Sequence, residues 1–361
     1  MRIAFLGPAP PFRGGISNFA VHLADELVRQ GHSIHFFNFK KQYPALLFPS
    51  SGQYDGGECQ HPSSRVLTPY LPGTWSRTAQ AIKQWQADLL IASWWLPYFA
   101  PAYGYILKKL NCRKVILAHN ILPHEDWPAT HCLLRYVFSK ADRIVVLSNS
   151  CLLDLKRNLP NAIIKKACLG FHPIYSSVSL PAVEPQAFPG ILFFGLIKDY
   201  KGLDILLKAM PIIRLAIPDI RLRIAGSVYG SSEKYTELIE KLDLKANVEC
   251  YFRYLDDSEV AQLFAISDVC VLPYKSATQS GVIATALSYK TPVIATDVGG
   301  LGEYIEDGIT GLLVPPDNPP ALAAAVIRFY SEKLEAGMRV AIDRYQKDYS
   351  WAKLTGCFLD P

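Results

Sequence analysis

Two lysines, Lys198 and Lys201, sit in FFGLIKDYKGLDILLKAM (193–210), where a strand-like run gives way to a helix-like one. Cations at a helix N-terminus oppose the macrodipole unless an anion lies beside them, so the conflict itself points to a ligand. Two ammonium groups next to free helix amides make a clamp for a pyrophosphate, and two solvated lysines are the plainer alternative. A second stretch, TQSGVIATALSYKTPVIATDVGG (278–300), has no charged residue between Lys275 and Lys290. If its helix begins near Gly281, the amides of Ser280, Gly281 and Val282 are free to hold a phosphate or a sugar hydroxyl, with the Gln279 amide beside them.

Three further loops follow strand-like runs. GPAPPFRGGIS (7–17) puts Gly14 and Gly15 at a helix start, where a bare backbone can approach an anion or a sugar. It is not a GxGxxG loop, and the second strand SIHFFNF runs into Lys40 and Lys41 rather than an acid, which argues against a nicotinamide dinucleotide. AHNILPHEDW (118–127) gathers His119, His124 and Glu125. Metal ligation would need a third ligand that the spacing does not supply, leaving a capping role or a substrate contact. In SWWLPYF (93–99), Trp94 and Trp95 are adjacent, so on a strand they face opposite ways and at least one belongs to the core. Asp256 and Asp257 in YLDDSEVAQLF read as helix caps.

These loops need a scaffold of alternating strands and helices. RIAFL, SIHFFNF, DLLIAS, KVILAH and RIVVLS are apolar runs of the kind buried on both faces of a parallel sheet, separated by segments of helical period near 98–110, 129–140 and 149–158. The Pro- and Ser-rich stretch 172–190 reads as a linker, after which ILFFGL, RLRIAG, NVECYF, DVCVLPY and PVIAT restart the alternation. The fold class is α/β, with two tandem doubly wound domains expected to face a central cleft. The expected bounds are 1–172 and 190–343, a linker at 173–189, and a tail 344–361 that packs back as a helix on the first domain.

Length and composition agree. The 361 residues suit two domains, and 50% hydrophobic with 19% charged residues describes a packed globular chain. A net charge of +5 suits phosphate-bearing ligands or an anionic membrane surface and is too diffuse for nucleic acid. The eight cysteines form no CxxC pair, so free thiols in a reducing cytoplasm are expected, with no metal and no disulfide framework. MRIAFLGPAP reads as a first strand rather than a signal peptide. The charge-free stretch 89–107 is long enough for a membrane helix, but Pro97, Pro101 and Gly104 favour a strand, a loop and a helix.

The order of the GG loop, the strand ending in His119-Asn120, FFGLIKDYKG, IAGS, DVCVLPY and QSGV…KTPVIATDVGGLGEYIEDGITGLLVPPDN resembles the family 4 retaining glycosyltransferases of the GT-B fold. The resemblance spans nearly the whole chain and is most specific over 268–318. It implies two Rossmann-like domains, with a UDP- or GDP-sugar donor held mainly by the second. A glycan or lipid-linked acceptor would be held mainly by the first, at a cytoplasmic or inner-membrane-surface location. It also implies transfer with retention, no metal and no cofactor beyond the nucleotide-sugar substrate, a place in polysaccharide biosynthesis, and His119 near the donor sugar.

The family's two glutamates fall at Ala277 and Thr285, a lysine stands at 290 where glycine is common, and Leu196 occupies the place of an arginine in the phosphate loop. A branch with a QSG loop in place of the glutamates fits this pattern. Donor contacts would then come from Gly14, Gly15, Lys198, Lys201, Gln279, Ser280, Gly281, Val282 and Thr285, and Trp94, Trp95, His124 and Glu125 are the acceptor-side candidates. The other readings of the same residues are a nucleotide-sugar-binding subunit without turnover and a GT-B sugar-nucleotide epimerase.

Overall fold

A computed structural model describes residues 1–12, 14–44, 57–123, 127, 129–174, 181, 188–277 and 280–360. The chain divides into two compact units, Met1–Phe171 with Trp351–Pro361, and His172–Ser350.

The first unit holds β1 (Arg2–Leu6), β2 (Ser33–Phe39), β3 (Ser63–Leu67), β4 (Leu89–Trp94), β5 (Arg113–Ala118), β6 (Arg143–Val146) and β7 (Ala167–Leu169). They form one sheet in the order β3-β2-β1-β4-β5-β6-β7, parallel throughout. The second unit holds β8 (Gly190–Phe194), β9 (Arg221–Ala225), β10 (Val248–Tyr251), β11 (Val269–Leu272), β12 (Val293–Thr296) and β13 (Gly311–Val314). Their order is β10-β9-β8-β11-β12-β13, again parallel. Inner strands such as β4, β11 and β12 are buried at every residue, because helices cover both faces, and that is why they read as unbroken apolar runs. The edge strands β3, β7 and β10 alternate or stay half-exposed.

Strand order reverses between β1 and β4 in the first sheet and between β8 and β11 in the second. At such a switch point neighbouring loops leave in opposite directions and open a crevice at the carboxyl ends of the strands. The described residues concerned are 7–12, 14 and 95–99 in the first unit, and 195–202, 273–277 and 280 in the second. Four of the stretches singled out in the sequence therefore lie at the two switch points.

The tail returns to the first unit at Trp351, later than the expected 344, because the helix Glu335–Tyr345 still belongs to the second. The helix Trp351–Leu359 buries Trp351, Leu354 and Phe358 on one stripe, with the Trp351 ring 5.0 Å from Phe19. Arg113 and Arg143 donate to its last carbonyls, at Leu359 (2.9 Å) and Cys357 (3.2 Å), where cations complement the helix dipole. The charge-free stretch 89–107 folds as β4, a 3₁₀ turn Pro97–Phe99 and most of the helix Ala100–Lys109. Among the described residues no helix is long and apolar enough to cross a membrane. Asp256 caps the helix Asp257–Ala265 in a capping box with Glu259, as the sequence suggested.

Candidate functional site

In the second unit, β8 ends at Phe194 and the chain turns through Gly195, Ile197 and a 3₁₀ turn Asp199–Lys201 before the helix Leu203–Ala216. Lys201 is drawn inward until only 7% of it is exposed. Its Nζ lies 5.2 Å from the centre of the Tyr274 ring, and burial holds the ammonium below the usual lysine range. The neighbouring acids are engaged elsewhere. Asp199 pairs with Lys234, and Asp204 pairs with Lys208 (3.1 Å) and Lys275 (3.0 Å). Among the described residues the Lys201 ammonium has neither an ion pair nor a hydrogen bond, so a buried cation is left for an anion from outside.

The helix Gly281–Ser288 completes this half-site. A Cβ on Gly195, whose φ is +104°, would lie 3.0 Å from Lys201 Nζ and 3.0 Å from Val282 Cγ2, so the ammonium and the first helical turn flank the same bare backbone. Ser280 is the N-cap, yet its side chain does not cap the helix; its Oγ lies 3.4 Å from the buried Tyr274 Oη. Among the described residues the first-turn amides therefore lack a side-chain cap, which is the arrangement that binds phosphate. Thr285 is half-buried, its Oγ1 donating to the Gly281 carbonyl of its own helix at 2.9 Å.

Two residues not singled out in the sequence join the group. Tyr274 forms the floor under Lys201, and His172 directs Nε2 to 3.5 Å from where a Cβ on Gly281 would lie. Lys198 stands apart from this inward cluster, half-buried, with Nζ 4.7 Å from the centre of the exposed Tyr229 ring. Gln279 lies outside the described residues.

In the first unit, the loop after β1 is pinned by the buried Asn38, whose amide donates to the Ala9 carbonyl at 2.7 Å. Gly14 then enters the helix Gly15–Arg29 with φ +116°, a conformation that favours glycine, and a Cβ on either Gly14 or Gly15 would meet nothing within 4 Å. His119 follows β5 and is 8% exposed, its ring edge-on to Phe19 at 5.3 Å.

Trp94 is 1% exposed and packs edge-on against Phe138, so it is core and is withdrawn as an acceptor contact; the last strand residue must fill the space under the helices. Trp95 takes the other direction, half-buried among Phe39 and Phe99, with Nε1 donating to Tyr43 Oη at 3.1 Å. His124 and Glu125 lie outside the described residues. Among the described residues no group of three His, Cys, Asp or Glu could hold a metal ion.

Residues 13–165 match the family described as "Glycosyltransferase Family 4", and residues 188–332 match "Glycosyl transferases group 1". The chain belongs to the family 4 glycosyltransferases. Among curated relatives, the D-inositol 3-phosphate glycosyltransferase of Paenarthrobacter aurescens is 38% identical over 159 residues, 43% of this chain and 38% of the relative. An uncharacterised glycosyltransferase of Methanocaldococcus jannaschii is 25% identical over 95% of this chain and 92% of its own. The chain thus spans well under half of the first relative and nearly all of the second. The Anabaena protein HepE, solved in complex with UDP-glucose, superposes with a TM-score of 0.76 over 98% of this chain and 97% of its own at 16% identity, a likeness of fold.

Two further positions of this family 4 glycosyltransferase have visible local settings. Lys290 adopts φ +55° just past the helix Gly281–Ser288, and it pairs with Asp343 at 2.6 Å. The non-glycine residue is held in a left-handed turn by the fold around it. Leu196, in the loop that leads to Lys198, is exposed and carries no charge.

Proposed function

We propose that the chain transfers a sugar from a nucleoside-diphosphate sugar to a hydroxyl of a glycan or lipid-linked acceptor, with retention of anomeric configuration and without a metal ion. The observation that carries this reading is Lys201, a buried cation with no carboxylate among the described residues, beside the uncapped first turn of Gly281–Ser288 at a sheet switch point. The complex of Anabaena HepE with UDP-glucose supports a uridine donor on a fold of this type.

In the reaction, the bond from the sugar's anomeric carbon to the diphosphate oxygen breaks and a bond to the acceptor oxygen forms. The acceptor's proton leaves with the nucleoside diphosphate. Negative charge grows on the departing phosphate, and fixed positive groups there lower the barrier because they need no reorganisation. Lys201 and the amides of Ser280 to Val282 fill that role, Lys198 serves as an outer contact, and Gly14, Gly15 and His119 are assigned to the donor sugar. A fixed carboxylate nucleophile of the glycosidase type is not required, in keeping with the alanine and threonine at 277 and 285.

The direct test is incubation with UDP- and GDP-sugars and glycan or lipid-linked acceptors, with the product's anomeric configuration read by NMR. Absence of transfer to any acceptor while donor binding persists would favour the binding-subunit reading. Activity is expected to survive EDTA, because the lysine and the helix amides neutralise the diphosphate; loss in EDTA that magnesium or manganese restores would refute metal independence.

The acceptor side is assigned to Trp95 and its aromatic neighbours, since such rings suit a sugar face or a lipid carrier. Trp95→Phe is expected to raise the acceptor KM with the donor KM unchanged, whereas Trp94→Phe changes neither and costs only stability, about 1 kcal/mol. Equal acceptor kinetics in the two variants would remove Trp95 from the acceptor site.

A further inference from the structure

Ser280 stands at the N-cap of Gly281–Ser288 in extended backbone, the residue type and conformation that close a helix start by accepting from the second or third helical amide. Its side chain does not cap the helix. Among the described residues its Oγ has another neighbour, the Tyr274 hydroxyl at 3.4 Å. Tyr274 is 2% exposed, and burial pushes its ionisation well above the ordinary phenol range, so at neutral pH it holds a proton that needs an acceptor. Among the described residues Ser280 Oγ is the acceptor within reach. If Ser280 turned onto its own helix it would gain a cap and leave a buried hydroxyl without a partner, and the orphaned group costs at least as much as the cap contributes.

Tyr274 is held where it can divert the serine. Its carbonyl accepts from Thr296 Oγ1 at 2.6 Å, and the N–H of the next residue, Lys275, donates to the Tyr200 carbonyl at 2.7 Å. One side chain thus touches both parts of the half-site: its ring carries the Lys201 ammonium, and its hydroxyl lies against the residue that would otherwise close the helix start.

We propose that Tyr274 is a positioning residue for the diphosphate: its hydroxyl donates to Ser280 Oγ and keeps that side chain off the first-turn amides, which stay free for phosphate oxygens. Tyr274 acts through Ser280 rather than on the ligand. The assignment rests on the donor reading given above.

The test is calorimetric titration of wild type and of Tyr274→Phe, with and without Ser280→Ala, using UDP, GDP and inorganic pyrophosphate. Phenylalanine keeps a ring beneath Lys201 and removes the hydroxyl, so Ser280 is released to cap its own helix. Binding in Tyr274→Phe is expected to be about fivefold weaker, because phosphate must then displace a cap. Adding Ser280→Ala removes the competing hydroxyl and keeps the backbone amide, so the double variant is expected to bind several-fold tighter than Tyr274→Phe alone. A tyrosine with a merely structural role gives no such recovery, since a second substitution in the same contact only removes more of it. Unchanged binding in Tyr274→Phe, or a double variant no tighter than Tyr274→Phe, overturns the proposal. Should Tyr274→Phe not melt cooperatively, Tyr274→Met with and without Ser280→Ala provides the same comparison. Failure of the wild type to bind any of the three ligands refutes the donor reading itself, a result visible before any substitution is made.

Discussion

Lys201→Met is expected to weaken nucleoside-diphosphate-sugar binding by about ten- to a hundredfold, the equivalent of a charge-assisted hydrogen bond of ~1.5 to 3 kcal/mol, while the ligand-free protein melts no lower than wild type. The two halves of the result have one cause. The ammonium is buried against Tyr274 with its acidic neighbours occupied by other lysines, so in the absence of ligand it is a desolvated cation with no ion pair among the described residues. Methionine keeps the stem's packing and removes the charge. Burial lowers the folded-state pKa below the ordinary lysine value of 10.5, so between those two values the unfolded chain binds more protons and stability rises with pH. The cost of the buried charge is thus fully present below the folded pKa and fades as pH climbs toward 10.5, narrowing any stability advantage of the methionine variant. Donor titrations and melting curves from neutral to alkaline pH read both effects. A variant that melts lower yet binds as wild type would make Lys201 a structural residue.

Gly202→Ala is expected to lower the stability of the second unit by ~3 kcal/mol or more and to abolish donor binding with it. Gly202 ends the 3₁₀ turn that carries Lys201, with φ +67°, and a Cβ there would lie 1.9 Å from the Pro273 carbonyl oxygen. Neither side yields cheaply, because the same two loops are tied by the Lys275 N–H donating to the Tyr200 carbonyl at 2.7 Å. Relief of the clash must part the loop bearing Lys201 from the loop leading to Ser280. Gly308→Ala is the control: its φ is +78° in the same unit, but an added Cβ meets nothing within 4 Å, so only the backbone strain of ~1 kcal/mol applies. The melting temperature should fall by roughly 6–12 °C in the first variant and only a few degrees in the second. Similar losses in both would show that the loop contact does not matter.

The inner strands were legible because burial on both faces imposes unbroken apolar runs, as in LLIASW and VIAT. Helix starts with a chemical signature were equally plain, among them Asp256 and the Gly281 turn. β3, β7 and β13 escaped notice, since SSRVL, ACL and GLLV are short segments whose pairing is set by a neighbour already in place. The adjacency of Trp94 and Trp95 required opposite directions but could not assign them; packing against Phe138 did.

By itself, then, the sequence determined the two α/β units, the loops at their switch points and the candidate lysines, because strand burial, helix periodicity and loop residue types are local properties. Only the tertiary structure decided that Lys201 is the inward cation and Lys198 the outer one, since that depends on which carboxylates Lys208, Lys234 and Lys275 occupy. It also brought His172 from the end of one segment to the first turn of Gly281–Ser288, a contact between residues far apart in the chain. No local pattern encodes such a contact, because it arises from the packing of the whole unit.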